Sequence, residues 1–245
     1  MEGLRPGDGV FGDLSGSWGG FAEYVCARED AVVRIPTGMT FVEAAAIPQA
    51  ATLALQGLRD VGRIQRGQRI LINGAGGGVG TFGVQLAKLH EAEVTGVDRT
   101  GKLDMLRSLG FDHVVDYTQE DFTRRGERYD LILDVKTDRP LRDYLRVLDP
   151  GGTYVTVGGA TGSLVRVMLS KPLVALVGTK KVALVFLKPN KDLDHICELH
   201  ASGKLRPVID GPYGLAEVPA AMRYFAEGKH EGKVVIRLEG SDRVP

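Results

Sequence analysis

The stretch Asn73-Gly74-Ala75-Gly76-Gly77-Gly78-Val79-Gly80 decides the reading of this chain. Ahead of it, Arg69-Ile70-Leu71-Ile72 is a short apolar run of strand type. Behind it, 81–90 has helical spacing, with Val79, Phe82, Leu86 and Leu89 on one face. A glycine-rich turn from strand to helix lets the main chain approach a pyrophosphate closely. The leading N–H groups and the positive dipole end of the helix then offset its charge. The strict spacing would put glycine at 75, so Ala75-x-Gly77-x-x-Gly80 is a variant form. The next element supports it: Glu93-Val94-Thr95-Gly96-Val97 reads as a second strand ending in Asp98, 18 residues after Gly80, close to the place of a ribose-binding acid. The stretch reads as a dinucleotide-binding turn, which leaves the chemistry to a cofactor.

Outward from this turn, 56–204 alternates apolar strands (69–72, 93–97, 113–116, 130–135, 153–157, 182–187) with helical stretches (102–109, 141–148, 193–202). Such alternation predicts an α/β fold, a doubly wound parallel sheet covered on both faces. Pro150-Gly151-Gly152 marks the turn before the fifth strand. The flanks differ. Turn clusters (Pro6-Gly7-Asp8-Gly9 and Ser15-Gly16-Ser17-Trp18-Gly19-Gly20) separate short strands expected at 20–26 and 31–34. The tail has strand-like 206–209, a helix at 217–227 and a last strand at 233–238. This texture predicts a Rossmann domain over 48–207 and a discontinuous all-β domain made of 1–47 and 208–245.

The 245 residues carry 31 basic and 31 acidic side chains, so no electrostatic footprint for nucleic acid or an anionic membrane surface exists. No apolar stretch has transmembrane length, and the start lacks the layout of a signal peptide, which predicts a cytoplasmic protein. Cys26 and Cys197 read as isolated thiols. Two cysteines cannot form a four-cysteine zinc site. In His195-x-Cys197-x-x-His200, helical offsets of two and five residues turn the side chains by about 200° and about 140°, so they diverge. No zinc is expected.

Several stretches together resemble the zinc-independent quinone oxidoreductase branch of the medium-chain dehydrogenase/reductase superfamily. They are Arg5-Pro6-Gly7-Asp8-Gly9-Val10-Phe11-Gly12, Gly20-Phe21-Ala22-Glu23-Tyr24-Val25, Ala44-Ala45-Ala46-Ile47-Pro48-Gln49, the glycine turn, Gly110-Phe111-Asp112-His113-Val114-Val115-Asp116-Tyr117, Gly203-Lys204-Leu205-Arg206-Pro207-Val208-Ile209 and Gly232-Lys233-Val234-Val235-Ile236. The resemblance implies an NAD(P)H-dependent oxidoreductase that passes hydride to a quinone, an enone or another activated carbonyl compound. It implies a GroES-like catalytic domain in the flanks and a homodimer. It further implies that Gly76, Gly77, Gly78 and Val79 line the pyrophosphate, that Asp98, Arg99 and Lys102 meet the adenosine ribose, and that Tyr117 lies at the adenine side. Val157 and Gly158, with Phe186 and Leu187, would form the nicotinamide end. The apolar strand Val182-Ala183-Leu184-Val185-Phe186 is expected to join two copies edge to edge.

Three departures accompany the likeness. Relatives carry a substantial segment before the Pro-Gly-Asp stretch, so the catalytic domain is expected to be incomplete and turnover to suffer more than cofactor binding. Lys136-Thr137 stands where relatives show Val-Gly, putting a cation near the cofactor cleft, and a threonine of the helix after Pro48-Gln49 is displaced to Thr52.

Asp98 alone favours NAD(H), because a carboxylate repels a 2′-phosphate, while Arg99 and Lys102 favour NADP(H). Both remain open on the residues, and the resemblance tilts the expectation to NADP(H). Ser15, Ser17 and Ser163 lack the setting of a nucleophile. No catalytic acid is named: Tyr24, Thr52 and Lys136 are each candidates. A cofactor-binding but inactive regulatory or structural protein is the rival reading to a reductase.

Overall fold

The computed structural model describes residues 3–16, 19–159 and 161–238; Ser17 and Trp18 of the expected turn cluster lie outside them. The chain divides into two compact units, Met1–Thr52 with Lys188–Pro245, and Leu53–Leu187.

In the first unit, β1 (Val10–Phe11) pairs antiparallel with β2 (Val33–Arg34). The Arg34 guanidinium grips Asp8 through Nε and Nη2 at 3.0 and 2.9 Å. Next, α1 (Phe41–Ala46) opens on a capping box in which the Glu43 N–H donates to Thr40 Oγ1 and the Thr40 N–H to Glu43 Oε2. α2 (Pro48–Leu55) runs on into a π-helical turn at Gln56–Val61.

The second unit begins with β3 (Arg69–Asn73), α3 (Gly78–Lys88), β4 (Glu93–Asp98), α4 (Leu103–Ser108) and β5 (His113–Asp116). It continues through β6 (Tyr129–Asp134), α5 (Leu141–Val147), β7 (Leu148–Thr156), α6 (Thr161–Val177) and β8 (Lys181–Leu184). The six strands form one parallel sheet ordered β5-β4-β3-β6-β7-β8. Strand order reverses between β3 and β6, which makes the carboxyl ends of those two strands the crevice where such sheets bind ligands.

Alternation along the strands splits the side chains between two faces. Leu71, Ile132, Tyr154 and Val182 align across the sheet and pack with Tyr144 and Val147 of α5 and Val167 of α6. Ile72 and Leu133 point the other way, where Gly83 of α3 lies so close that an added Cβ would stand 3.1 Å from Ile72 Cδ1 and 3.3 Å from Leu133 Cδ2. Helices thus cover both faces. Ile70, Leu71, Ile72, Ile132 and Leu133 are completely buried, each contributing about 1.5–3 kcal/mol of apolar burial.

The first unit closes with α7 (Leu193–Ala201), β9 (Ile209–Gly214), α8 (Val218–Ala226) and β10 (Lys233–Arg237), the two strands pairing in parallel. Asn190 ties this part to the amino-terminal part of the same unit: its Oδ1 accepts from the Asp13 N–H at 2.6 Å, and its Nδ2 donates to the carbonyls of Asp13 and Ala31.

Several expectations are corrected. Residues 20–26 form no strand; Phe21, Tyr24 and Val25 are exposed, and no described strand pairs with them, so nothing satisfies a ladder there. The segment 206–209 is not a strand, since pairing with β10 begins only at Ile209. The strand expected at 182–187 ends at Leu184, leaving Phe186 and Leu187 beyond the ladder. Within the flank 1–47 the helix α1 had no expected counterpart, while α8 matches the helix expected at 217–227. The long α6 had no counterpart in the sequence reading.

Candidate functional site

The glycine turn joins β3 to α3 at the point where strand order reverses. Left-handed geometry falls on Gly74 (φ 80°), one residue before the position the strict spacing assigns to glycine. Ala75 therefore meets no conformational obstacle, and it is fully buried. The N–H groups of Gly74 and Ala75 both donate to the Val97 carbonyl, at 3.0 and 3.1 Å, pinning the turn to β4. Gly77 is the N-cap of α3 and supplies no side-chain cap. The leading N–H groups of this 11-residue helix thus face the crevice without a side-chain acceptor.

Gly76, Asp98 and Lys102 come together. The Gly76 N–H donates to Asp98 Oδ2 at 2.7 Å, the Arg99 N–H to Asp98 Oδ1 at 2.9 Å, and Lys102 Nζ lies 3.8 Å from Asp98 Oδ1. A Cβ on Gly76 would stand 2.5 Å from Lys102 Cδ and 3.0 Å from Asp98 Oδ2, so glycine is required here by close approach. Asp98 and Lys102 are both buried, which makes the carboxylate a brace for the turn as well as a charge beside it. Tyr117 donates its N–H to the Asp98 carbonyl at 3.1 Å and keeps its ring half exposed. Next to it, hydroxyls of Thr100 and Thr118 hold the Asp116 carboxyl below the usual carboxylate range.

At the other side of the switch point, Asp134 ends β6 opposite Asn73 of β3. It is completely buried and fully hydrogen-bonded: Oδ1 accepts from Asn73 Nδ2 (2.8 Å), the Thr137 N–H (3.0 Å) and the Lys136 N–H (3.2 Å), and Oδ2 from the Tyr154 hydroxyl (2.5 Å). Asn73 Nδ2 also donates to the Tyr144 hydroxyl at 3.0 Å. Burial, followed by the nearby Asp134 charge, pushes both tyrosines well above the ordinary phenol range. Thr137 sits at φ 41°, a conformation β-branched residues rarely adopt, costing on the order of 1–3 kcal/mol. Its hydroxyl bonds with Thr156 Oγ1 and the Gly158 carbonyl, each at 2.5 Å, and so offsets the strain.

Val157 follows β7 with its N–H on the Asp134 carbonyl, and its Cγ1 would lie 3.2 Å from a Cβ on Gly57 in the π-helical turn. Phe186 is 70% exposed just past β8. Of the acid candidates, Tyr24 is 90% exposed, Lys136 is exposed, and the Thr52 hydroxyl is buried without a hydrogen-bond partner. On α7, His200 lies 3.5 Å from Glu43 while His195 lies 3.6 Å from Glu198. Among the described residues no three His, Cys, Asp or Glu side chains gather as a metal site.

The Asp134 network was missed by sequence reasoning, although a signal existed: β4, β5 and β6 all end in aspartate at the carboxyl edge of the sheet.

Residues 109–236 match the family described as zinc-binding dehydrogenase. The chain is 34% identical to the 2-methylene-furan-3-one reductase of Solanum lycopersicum, over 96% of its own length and 59% of that protein's. It is 31% identical to the chloroplastic quinone-oxidoreductase QR1 of Triphysaria versicolor, over 96% and 74% of the two chains. Among solved structures, the quinone oxidoreductase from Coxiella burnetii superposes with a TM-score of 0.83 at 26% identity, covering 95% of this chain and 73% of that one. The chain thus spans about three fifths of the tomato reductase and about three quarters of the other two. A doubly wound sheet, a glycine turn at its switch point and these matches establish that the chain belongs to the zinc-binding dehydrogenase family, within the medium-chain dehydrogenase/reductase superfamily.

Proposed function

We propose that this chain is an NAD(P)H-dependent reductase of conjugated carbonyl compounds, quinones, enones or their relatives, working without zinc. The observation that carries the reading is the N-terminus of α3 without a side-chain cap, set in a turn where a Cβ at Gly74, Gly76 or Gly80 would crowd its neighbours, the close-packed glycine turn that brings main-chain N–H groups to a pyrophosphate. Relatives named as quinone and furanone reductases support the substrate class.

In this reading the main chain of Gly76, Gly77, Gly78 and Val79 holds the pyrophosphate. Asp98, Arg99 and Lys102 meet the adenosine ribose and Tyr117 the adenine side. Val157, Gly158, Phe186 and Leu187 bound the nicotinamide end. When bound, the nicotinamide supplies the hydride. The acceptor gains it at carbon and takes a proton from water at the resulting enolate or quinolate oxygen, so the chain contributes chiefly orientation and exclusion of bulk solvent. Residues 1–47 with 208–245 would serve as a partial GroES-like catalytic domain and 48–207 as the cofactor domain.

A homodimer through β8 belongs to the same proposal. Its support is that β8 is an edge strand, flanked by exposed Phe186 and by exposed Val165, Met168, Leu169 and Leu176 of α6. A reducing, cytoplasmic setting suits two free thiols, Cys26 exposed and Cys197 pushed up to about 11 by burial. No helix among the described residues is long and apolar enough to cross a membrane.

Calorimetric titration with the four nicotinamide dinucleotides, elemental analysis and light scattering test the proposal together. Expected are binding of at least one reduced dinucleotide, less than stoichiometric zinc, a particle of twice the chain mass, and oxidation of the bound cofactor by a simple quinone. Binding without oxidation would favour a regulatory or structural role; no binding refutes the reading.

Cofactor choice is expected to follow the charge at position 98. Asp98→Asn keeps an acceptor for the Gly76 N–H while removing the negative charge beside the ribose. The ratio of NADPH to NADH dissociation constants should fall about tenfold. Arg99→Ala should raise it. Dissociation constants for both cofactors check this, and a ratio that neither variant moves means these side chains do not read the ribose.

A further inference from the structure

The eight-residue glycine turn contains no basic side chain, so its attraction for a pyrophosphate comes from main-chain dipoles alone. A formal positive charge stands beside it. Lys136 follows β6, the neighbour of β3 in the sheet, and a Cβ on Gly74 would lie 3.8 Å from Lys136 Cβ and 3.3 Å from Val135 Cβ. The lysine stem therefore leaves the main chain directly beside the first glycine of the turn.

Its starting point is rigidly set. Main-chain N–H groups of Lys136 and Thr137 converge on Asp134 Oδ1, and the left-handed Thr137 is held by bonds to Thr156 and Gly158 on β7 and just past it. Gly159, at φ 138°, leaves the space that Thr137 fills: a Cβ there would come within 2.7 Å of Thr137 Cβ. A strained, thoroughly braced loop thus sets the exposed Lys136 beside the glycine turn, and such strain gathers at functional sites. The nearest strand-end carboxylates are engaged elsewhere, Asp98 by Gly76, Arg99 and Lys102, and Asp134 by Asn73, Tyr154 and the loop itself. Among the described residues Lys136 makes no ion pair.

We propose that Lys136 is a cofactor-positioning residue whose ammonium meets the pyrophosphate of a dinucleotide seated at the N-terminus of α3. This rests on the proposed function and adds to it a charge the glycine turn lacks. NAD(H) and NADP(H) share the pyrophosphate, so Lys136 raises affinity for both and leaves the choice between them to position 98 and its neighbours.

The test is Lys136→Gln in the full chain, with dissociation constants for NADH and NADPH measured at several salt concentrations. Loss of one charge-assisted contact should weaken both cofactors about tenfold, with their ratio unchanged. The salt dependence of binding should become shallower, a change that a purely structural role would not produce. Lys136→Arg should restore most of the affinity and the salt dependence. Melting temperature should stay constant, because the side chain is exposed. Unchanged affinity, or no rescue by arginine, overturns the proposal. A loss confined to NADPH also overturns it, assigning the ammonium to the 2′-phosphate instead. If the unaltered protein binds no dinucleotide, the proposed function falls and this inference with it; if it binds and Lys136→Gln binds equally well, only the inference falls.

Discussion

Asp134→Ala is expected to destabilise the sheet-bearing unit by about 3–5 kcal/mol and to lower its melting temperature by about 10 °C. The carboxylate is buried, and four donors converge on it: an amide nitrogen, a phenol hydroxyl and two main-chain N–H groups. Alanine leaves those donors around an apolar gap, and each unpaired buried donor costs about 1–3 kcal/mol. Asn73 retains its bond to the Tyr144 hydroxyl, which limits the total. The loop carrying Lys136 and Thr137 also loses its acceptor, so Thr137 has less to hold it at positive φ. Asp134→Asn should be far milder, about 1 kcal/mol, because its oxygen can still serve Asn73 and the two N–H groups while only the Tyr154 bond must reverse direction. Denaturant titration of both variants checks the difference. Equal stabilities would mean that water replaces the carboxylate at no cost.

The sequence disclosed this unit well because its signals are local. Each of β3 to β6 is a short, largely apolar run, whereas Pro150-Gly151-Gly152, expected as a turn, lies inside β7; the glycine turn needs only its own neighbours to be recognised. Asp98 was legible as a strand-end acid, but its inward bonds to Gly76 and Arg99 were not, since they depend on how closely β4 passes the turn. The Asp134 network was hidden for the same reason on a longer scale. Asn73, Asp134, Tyr144 and Tyr154 meet only after β6 inserts beside β3 and β7 beside β6, and no periodicity reports strand order.

Two misreadings have other causes. Across α6, Leu164-Val165-Arg166-Val167-Met168-Leu169 and Leu173-Val174-Ala175-Leu176-Val177 are nearly uniformly apolar, and Pro172 lies within the helix. A helix without a polar face gives no 3.6-residue signal. Residues 20–26 erred in the opposite sense: Phe21, Tyr24 and Val25 mixed with small and polar residues read as a strand, yet a strand exists only where a ladder partner does. The shift of the left-handed glycine from 75 to 74 was likewise out of reach, because spacing rules fix which residues are small and not which φ each takes.

Gly80→Ala, the addition of one methyl group, is expected to abolish dinucleotide binding, raising the dissociation constant at least about a hundredfold, and to cost about 1–3 kcal/mol of stability. The added Cβ would stand 2.6 Å from both Cα and the carbonyl carbon of Ala75 and closer still to the carbonyl oxygen. These are main-chain atoms, so no side chain can swing away. Ala75 cannot retreat either, because its N–H and that of Gly74 are bonded to the Val97 carbonyl inside the central sheet. The helix must therefore lift off the turn, carrying its leading N–H groups away from the place where a pyrophosphate would lie. Gly178→Ala is the fitting control, since an added Cβ there meets nothing within 4 Å. Fluorescence titration with NADH and NADPH, beside a thermal melt of each variant, separates lost binding from lost folding. If Gly80→Ala binds as tightly as the unaltered chain, close packing of α3 on the glycine turn is not what builds the dinucleotide site.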